Sequence, residues 1–92
     1  MPYQILPYSY KRAKKLGVQI RPSRNQTKKI DVFRQGKRVA SVGAAGMNDY
    51  PTFRKTRGDT YAKLRRALYK QRHEKDRHRV GTPGYYADQI LW

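Results

Sequence analysis

The stretch Lys28-Lys29-Ile30-Asp31-Val32-Phe33-Arg34-Gln35-Gly36-Lys37-Arg38-Val39-Ala40-Ser41-Val42-Gly43 decides the fold. Lys28 to Arg34 alternates, with Ile30 and Val32 on one face, which is the period of a half-buried strand. Val39 to Gly43 supplies a second strand. Between them Gln35-Gly36-Lys37 carries turn chemistry, since Gly36 is free to take a positive φ. The reading is a β-hairpin over about residues 29–43. A lone hairpin is marginal in water and needs another strand or a helix to pack on. Val18-Gln19-Ile20, which also alternates, is the obvious third strand.

Outward from the hairpin the chain reads as helix and loop. Ala44 to Pro51 is a loop, Thr52 to Thr56 a helical turn, and Gly58 a break. Asp59 or Thr60 then caps a long helix over about residues 60–78. Tyr61, Leu64 and Leu68, with Ala67 beside them, form a narrow apolar stripe at helical spacing. A second stripe carries Lys63, Arg66, Lys70, His73 and Arg77. The apolar stripe is expected to seat on the hairpin and leave the basic one outward. Thr82-Pro83 starts a short apolar C-terminal helix containing Tyr85, Tyr86, Ile90, Leu91 and Trp92.

Toward the N-terminus, Pro2-Tyr3 and Pro7-Tyr8 favour extended backbone. They read as an arm with tyrosine contact points or as a frayed terminus. Ser9 is a candidate cap for a short helix through Tyr10, Ala13 and Leu16, closed by Gly17. Lys11, Arg12, Lys14 and Lys15 cover its other faces. No acidic residue precedes Asp31. The expected organisation is therefore an extended basic N-terminal arm with a short helix (1–27) and a small α+β domain (28–92). That domain is a hairpin or three-stranded sheet packed on one long helix, followed by the short C-terminal helix.

Composition narrows the function. The 92 residues hold 22 Lys and Arg against 6 Asp and Glu, a formal charge of +16, and no Cys. Such a surplus repels itself in a compact chain, and a polyanionic or acidic partner relieves it. The absence of Cys excludes a disulfide framework and a thiolate metal site. Ile, Leu, Val and Phe are scarce, but eight Tyr and one Trp can supply a thin aromatic core. His73 and His78 lie five apart, which turns them away from one another on a helix and argues against a shared metal. Asp31, Asp49, Asp59 and Asp88 are scattered rather than clustered as a magnesium-dependent nuclease needs. Gly43-Ala44-Ala45-Gly46 lacks the Gly-Lys-Ser/Thr of a phosphate loop. The expectation is no enzyme, no cofactor, no metal and no small-molecule substrate. The basic surface suits nucleic acid through counterion release, with tyrosines able to stack on unpaired bases. It equally suits a solvated face paired with acidic proteins.

Four blocks in order carry a resemblance. They are Lys29-Ile30-Asp31-Val32-Phe33, Ser41 through Thr52 with its Asn48-Asp49-Tyr50-Pro51 turn, Tyr69-Lys70-Gln71-Arg72-His73-Glu74-Lys75-Asp76, and Gly84-Tyr85-Tyr86-Ala87-Asp88-Gln89-Ile90-Leu91-Trp92. From about residue 28 onward the chain resembles small basic proteins encoded by nucleocytoplasmic large DNA viruses, such as those of algae and amoebae. The resemblance implies a virion structural component without known catalysis, a minor capsid protein under or between major capsid proteins. It implies location in the capsid, and in host cytoplasm or nucleus during assembly. On that reading Tyr3, Tyr8, Tyr10 and Trp92 anchor contacts with capsid or other virion proteins. Lys63, Arg66, Lys70, His73 and Arg77, with Lys11, Arg12, Lys14 and Lys15, face acidic protein, anionic membrane or packaged DNA. The alternative is a sequence-nonspecific nucleic-acid-binding protein, in DNA packaging or on the ribosome.

Overall fold

The hairpin forms where the alternation requires it. Strand β2 (Lys28–Arg34) pairs antiparallel with β3 (Lys37–Ala44), placing Ile30 opposite Val42 and Val32 opposite Ala40. All four are buried. Gln35 and Gly36 make the turn with φ of 53° and 80°, the double positive φ of a tight two-residue hairpin loop. The register slips between Val32 and Phe33, which pair with Ala40 and Arg38. Val39 is the extra residue of this bulge and is left exposed. Strand β1 (Gln19–Pro22) adds to the free side of β2 with Ile20 opposite Val32, giving the order β1-β2-β3.

The computed structural model describes residues 3–92, and Met1 and Pro2, the start of the expected arm, lie outside the described residues. Four helices accompany the sheet: α1 (Pro7–Leu16), α2 (Tyr50–Arg57), α3 (Asp59–Arg72) and α4 (Pro83–Leu91). The fold is α+β. Its core joins Ile20, Ile30, Val32 and Val42 of the sheet to Ala13 of α1 and to Ile90, Leu91 and Trp92.

Two expectations change. The N-terminal segment is not an extended arm. Helix α1 begins at Pro7, two residues before Ser9, because Pro at the first helical position needs no N–H partner. Ser9 is instead fully buried, and its Oγ donates to the carbonyl of Ile90 at 2.9 Å. Arg12 Nε donates to the carbonyl of Gln89 at 2.7 Å, and Tyr8 Oη to that of Trp92 at 3.3 Å. The last carbonyls of a helix have no intrahelical partner, so Tyr8, Ser9 and Arg12 of α1 together cap the C-terminal end of α4. A cation there also suits the helix dipole.

The second change concerns the long helix. α3 ends at Arg72, and the chain runs through turns to Thr82. Residues 74–79 hold no apolar side chain to seat a further helical face. The sheet rests on α1 and α4, while α3 packs on α2. Leu64 and Leu68 are 57% and 41% exposed, and the inward face is Ala62 with Tyr61, Arg66 and Tyr69 around it. Fully buried Ala62 permits close approach to α2, where Tyr61 meets Phe53 edge-on at 5.4 Å. Aromatic rings carry a large apolar area and arginine stems can pack along it, and with Tyr61, Tyr69 and the stem of Arg66 inward the helix is turned with its leucines outward.

Candidate functional site

Three acidic residues, Asp31, Asp49 and Asp88, are used inside the molecule. Asp49 is fully buried at the cap of α2, where it accepts from the backbone N–H of Thr52, from Lys29 Nζ at 3.0 Å and from Tyr3 Oη at 2.6 Å. Burial, reinforced by the Asp49 carboxylate, pushes the Tyr3 phenol well above its ordinary range. Asp88 on α4 holds Lys70 Nζ at 2.7 Å and Arg77 Nη1 at 3.8 Å. Asp31 accepts from the Ser23 and Ser41 hydroxyls, each at 2.7 Å, and from the N–H of Arg24. Burial alone would raise its carboxyl, but those hydrogen bonds and the nearby charge of Arg38 outweigh it and hold it below the ordinary value. Hydrogen bonds from His78 and Arg77 likewise lower exposed Glu74.

The basic stripe divides under this arrangement. Lys63 is exposed as expected. Arg66 lies over the Tyr50 ring at 4.1 Å, and Lys70 and Arg77 hold Asp88. His73 lies against Tyr69 at 4.3 Å, its ring tilted by 31°. Four members of the stripe therefore face the body and serve its packing: Arg66 meets buried Tyr50, Lys70 and Arg77 meet buried Asp88, and His73 meets half-buried Tyr69. On α1 Lys11, Lys14 and Lys15 are exposed, whereas Arg12 is tied to Gln89. Of the four aromatic anchors, Tyr10 alone is exposed, at 50%. Tyr3 serves Asp49, Tyr8 packs against Tyr50 at 5.1 Å, and Trp92 stacks on Tyr69 at 4.3 Å with the rings 6° from parallel. Burial, then the Asp88 charge, raises the Tyr69 phenol.

A cleft of about 500 Å³ opens beside this aromatic column, between α3, the β3–α2 loop and the end of α4. Arg65, Tyr69, Arg72 and His73 reach it from α3, and Phe53, Met47 and Trp92 complete it. Sequence reading missed Arg65, Arg72, Phe53 and Met47. The signal was present at 65, 69 and 72, a third helical series that mixes cation and aromatic. Among the described residues no group of three His, Asp or Glu could hold a metal ion, and no helix is long and apolar enough to cross a membrane.

Comparison with protein-family models, with curated proteins and with solved structures finds no match to this chain.

Proposed function

We propose that the protein is a non-enzymatic nucleic-acid-binding component that engages polyanionic backbone through its outer shell, without sequence preference. One observation carries the reading. Among the described residues only Lys29, Arg54, Lys70 and Arg77 come within 4.0 Å of a carboxylate. Of the 22 cations, the other eighteen have no carboxylate that close. Three of the six acids, Asp31, Asp49 and Asp88, are buried, so the shell is left strongly cationic, and a polyphosphate is the partner that answers such a surface by counterion release. The resemblance to large-DNA-virus proteins adds a setting, the virus particle, where DNA is condensed.

Duplex binding measured by fluorescence anisotropy tests this. The affinity should fall steeply as salt rises, with a log–log slope of about −0.9 for each phosphate neutralised. Binding that is already absent at about 100 mM salt, or a slope near zero, would overturn the reading.

A second reading is favoured by the outward leucines of α3. In it the protein is a minor capsid component that bridges capsid subunits, with Leu64, Ala67, Leu68 and exposed Tyr10 as the apolar contacts. It requires the protein at fixed copy number in shells stripped of DNA. Complete loss with the DNA would eliminate it.

A further inference from the structure

The cleft beside α3 combines features that the outer shell does not. Its wall is a column of three aromatic rings, His73 on Tyr69 at 4.3 Å and Tyr69 on Trp92 at 4.3 Å. Trp92 closes the buried end, at 8% exposure, and His73 is the partly exposed end. Arg65 and Arg72 line the cleft, and neither has a carboxylate within 4.0 Å. None of the lining residues is acidic. Arg65 Nε is buried and has no hydrogen-bond partner, while its guanidinium carbon sits 5.5 Å from the centre of the Phe53 ring. A buried N–H without an acceptor is destabilising and rare in folded proteins. A volume of about 500 Å³ falls in the usual range for a small-ligand site.

Resting on the nucleic-acid reading, we propose that this cleft takes one unpaired nucleotide of a single strand. Its base lies against the aromatic column and its phosphate meets Arg65 and Arg72. A phosphate alone would leave the aromatic wall unmatched, and an aliphatic anion would forgo stacking. A nucleotide supplies both halves, a planar π-face and a negative charge. A paired base has no free face to offer, so duplex DNA is confined to the outer shell.

Trp92 is the only tryptophan, and its place in the cleft wall makes its emission a local reporter. The full chain is titrated with a short oligo(dT), with duplex DNA of equal phosphate number, with thymidine monophosphate and with laurate. Oligo(dT) should quench Trp92 saturably. The duplex should bind by anisotropy without that quench. The mononucleotide should compete only at higher concentration, since it lacks the neighbouring phosphates. Arg72→Gln, at an exposed side chain, should weaken oligo(dT) by about tenfold and change duplex affinity by less than about twofold. Arg65→Met should act alike on oligo(dT). The triple change Lys11→Gln, Lys14→Gln and Lys15→Gln should weaken both strands without altering the saturated quench. The cleft assignment is overturned by an oligo(dT) complex that leaves Trp92 silent, by equal quench from duplex or laurate, or by an Arg72→Gln protein that binds oligo(dT) as before. A mononucleotide as tight as the oligomer would overturn the strand. If duplex binding persists through any of these, the cleft assignment falls and the outer-shell reading stands. Loss of all binding removes both.

Discussion

Lys29 and Asp49 set the stakes at the scale of single residues. Both side chains are nearly inaccessible, 5% and 1% exposed, and 3.0 Å apart. Removing one partner strands the other charge in a dry site, which typically costs about 3–5 kcal/mol, whereas removing both costs far less than the sum. Lys29→Met should therefore be strongly destabilising. Lys29→Met with Asp49→Asn should recover about 1–3 kcal/mol of the summed losses, because Asn keeps the cap acceptor for Thr52. Urea denaturation of the four proteins measures the cycle, and strict additivity would contradict the pairing. Asp31 adds a pH dependence. Its folded carboxyl lies below the ordinary value of 3.8, so the carboxylate's contribution is present above that value and disappears as pH falls through the folded one. Asp31→Asn should cost about 1–3 kcal/mol at pH 7. The gap to the parent should shrink as pH falls below the ordinary carboxyl value of 3.8 and through the lower folded one. A constant gap would show that the charge is not what the serines hold. Gly43 is fixed by crowding: a Cβ there would stand 2.8 Å from Leu91 Cδ1 at a φ of +79°. Gly43→Ala should destabilise by about 1–3 kcal/mol. None of these three sites was legible in the sequence, because alternation in β2 assigns Lys29 and Asp31 to a solvent face. That holds only if nothing covers the second face, and the loop partners that cover it, Ser23 on Asp31 and Asp49 on Lys29, lie 8 and 20 residues away along the chain.

Whole elements were read more reliably than the faces they present. The hairpin, the third strand, the α1 stretch and the Thr82-Pro83 start of α4 all follow from local chemistry, a period of two or a cap, and local chemistry is what a sequence displays. The orientation of α3 does not follow. Its leucine stripe and its Ala62–Tyr69 face are both amphipathic, and the choice between them was made by Phe53 and Trp92, which arrive from elsewhere in the chain. The two cases give opposite expectations. Leu64→Glu with Leu68→Glu should leave stability within about 0.5 kcal/mol for each site, as surface changes do. Ala62→Leu, an apolar change that the sequence would permit, should cost about 1–3 kcal/mol by overpacking. For α1, Ser9→Ala should cost about 1–3 kcal/mol because it leaves the Ile90 carbonyl buried without its donor. Thermal melts of these variants separate a docked N-terminal helix from an arm, for which Ser9→Ala would be silent.

The charge belongs to the whole molecule. A formal +16 on a chain whose radius of gyration is 12.4 Å concentrates like charge within little more than one Debye length at ordinary ionic strength. The interior ion pairs do not relieve this, since they neutralise at most a few cations and are themselves shielded from salt by burial. Self-repulsion should therefore be a standing cost on the folded state that mobile ions can lower. Two contributions can be told apart. Raising sodium chloride from about 20 to about 200 mM, without partner, shortens the Debye length from roughly 20 Å to roughly 7 Å and should raise the melting temperature by screening alone. Sulfate would also act by exclusion, so chloride is the cleaner probe. At the low-salt end, saturating duplex DNA should raise the melting temperature further, because a ligand that prefers the folded chain stabilises it in proportion to RT ln(1 + [L]/Kd). That increment should fade at the high-salt end as the affinity falls. The two curves should thus converge, screening lifting the free protein while it releases the bound one. Parallel curves would mean that the duplex is held by contacts salt does not touch. A free-protein curve flat across the range would mean that the surface cations lie too far apart to repel, and that their surplus exerts no pressure toward a partner.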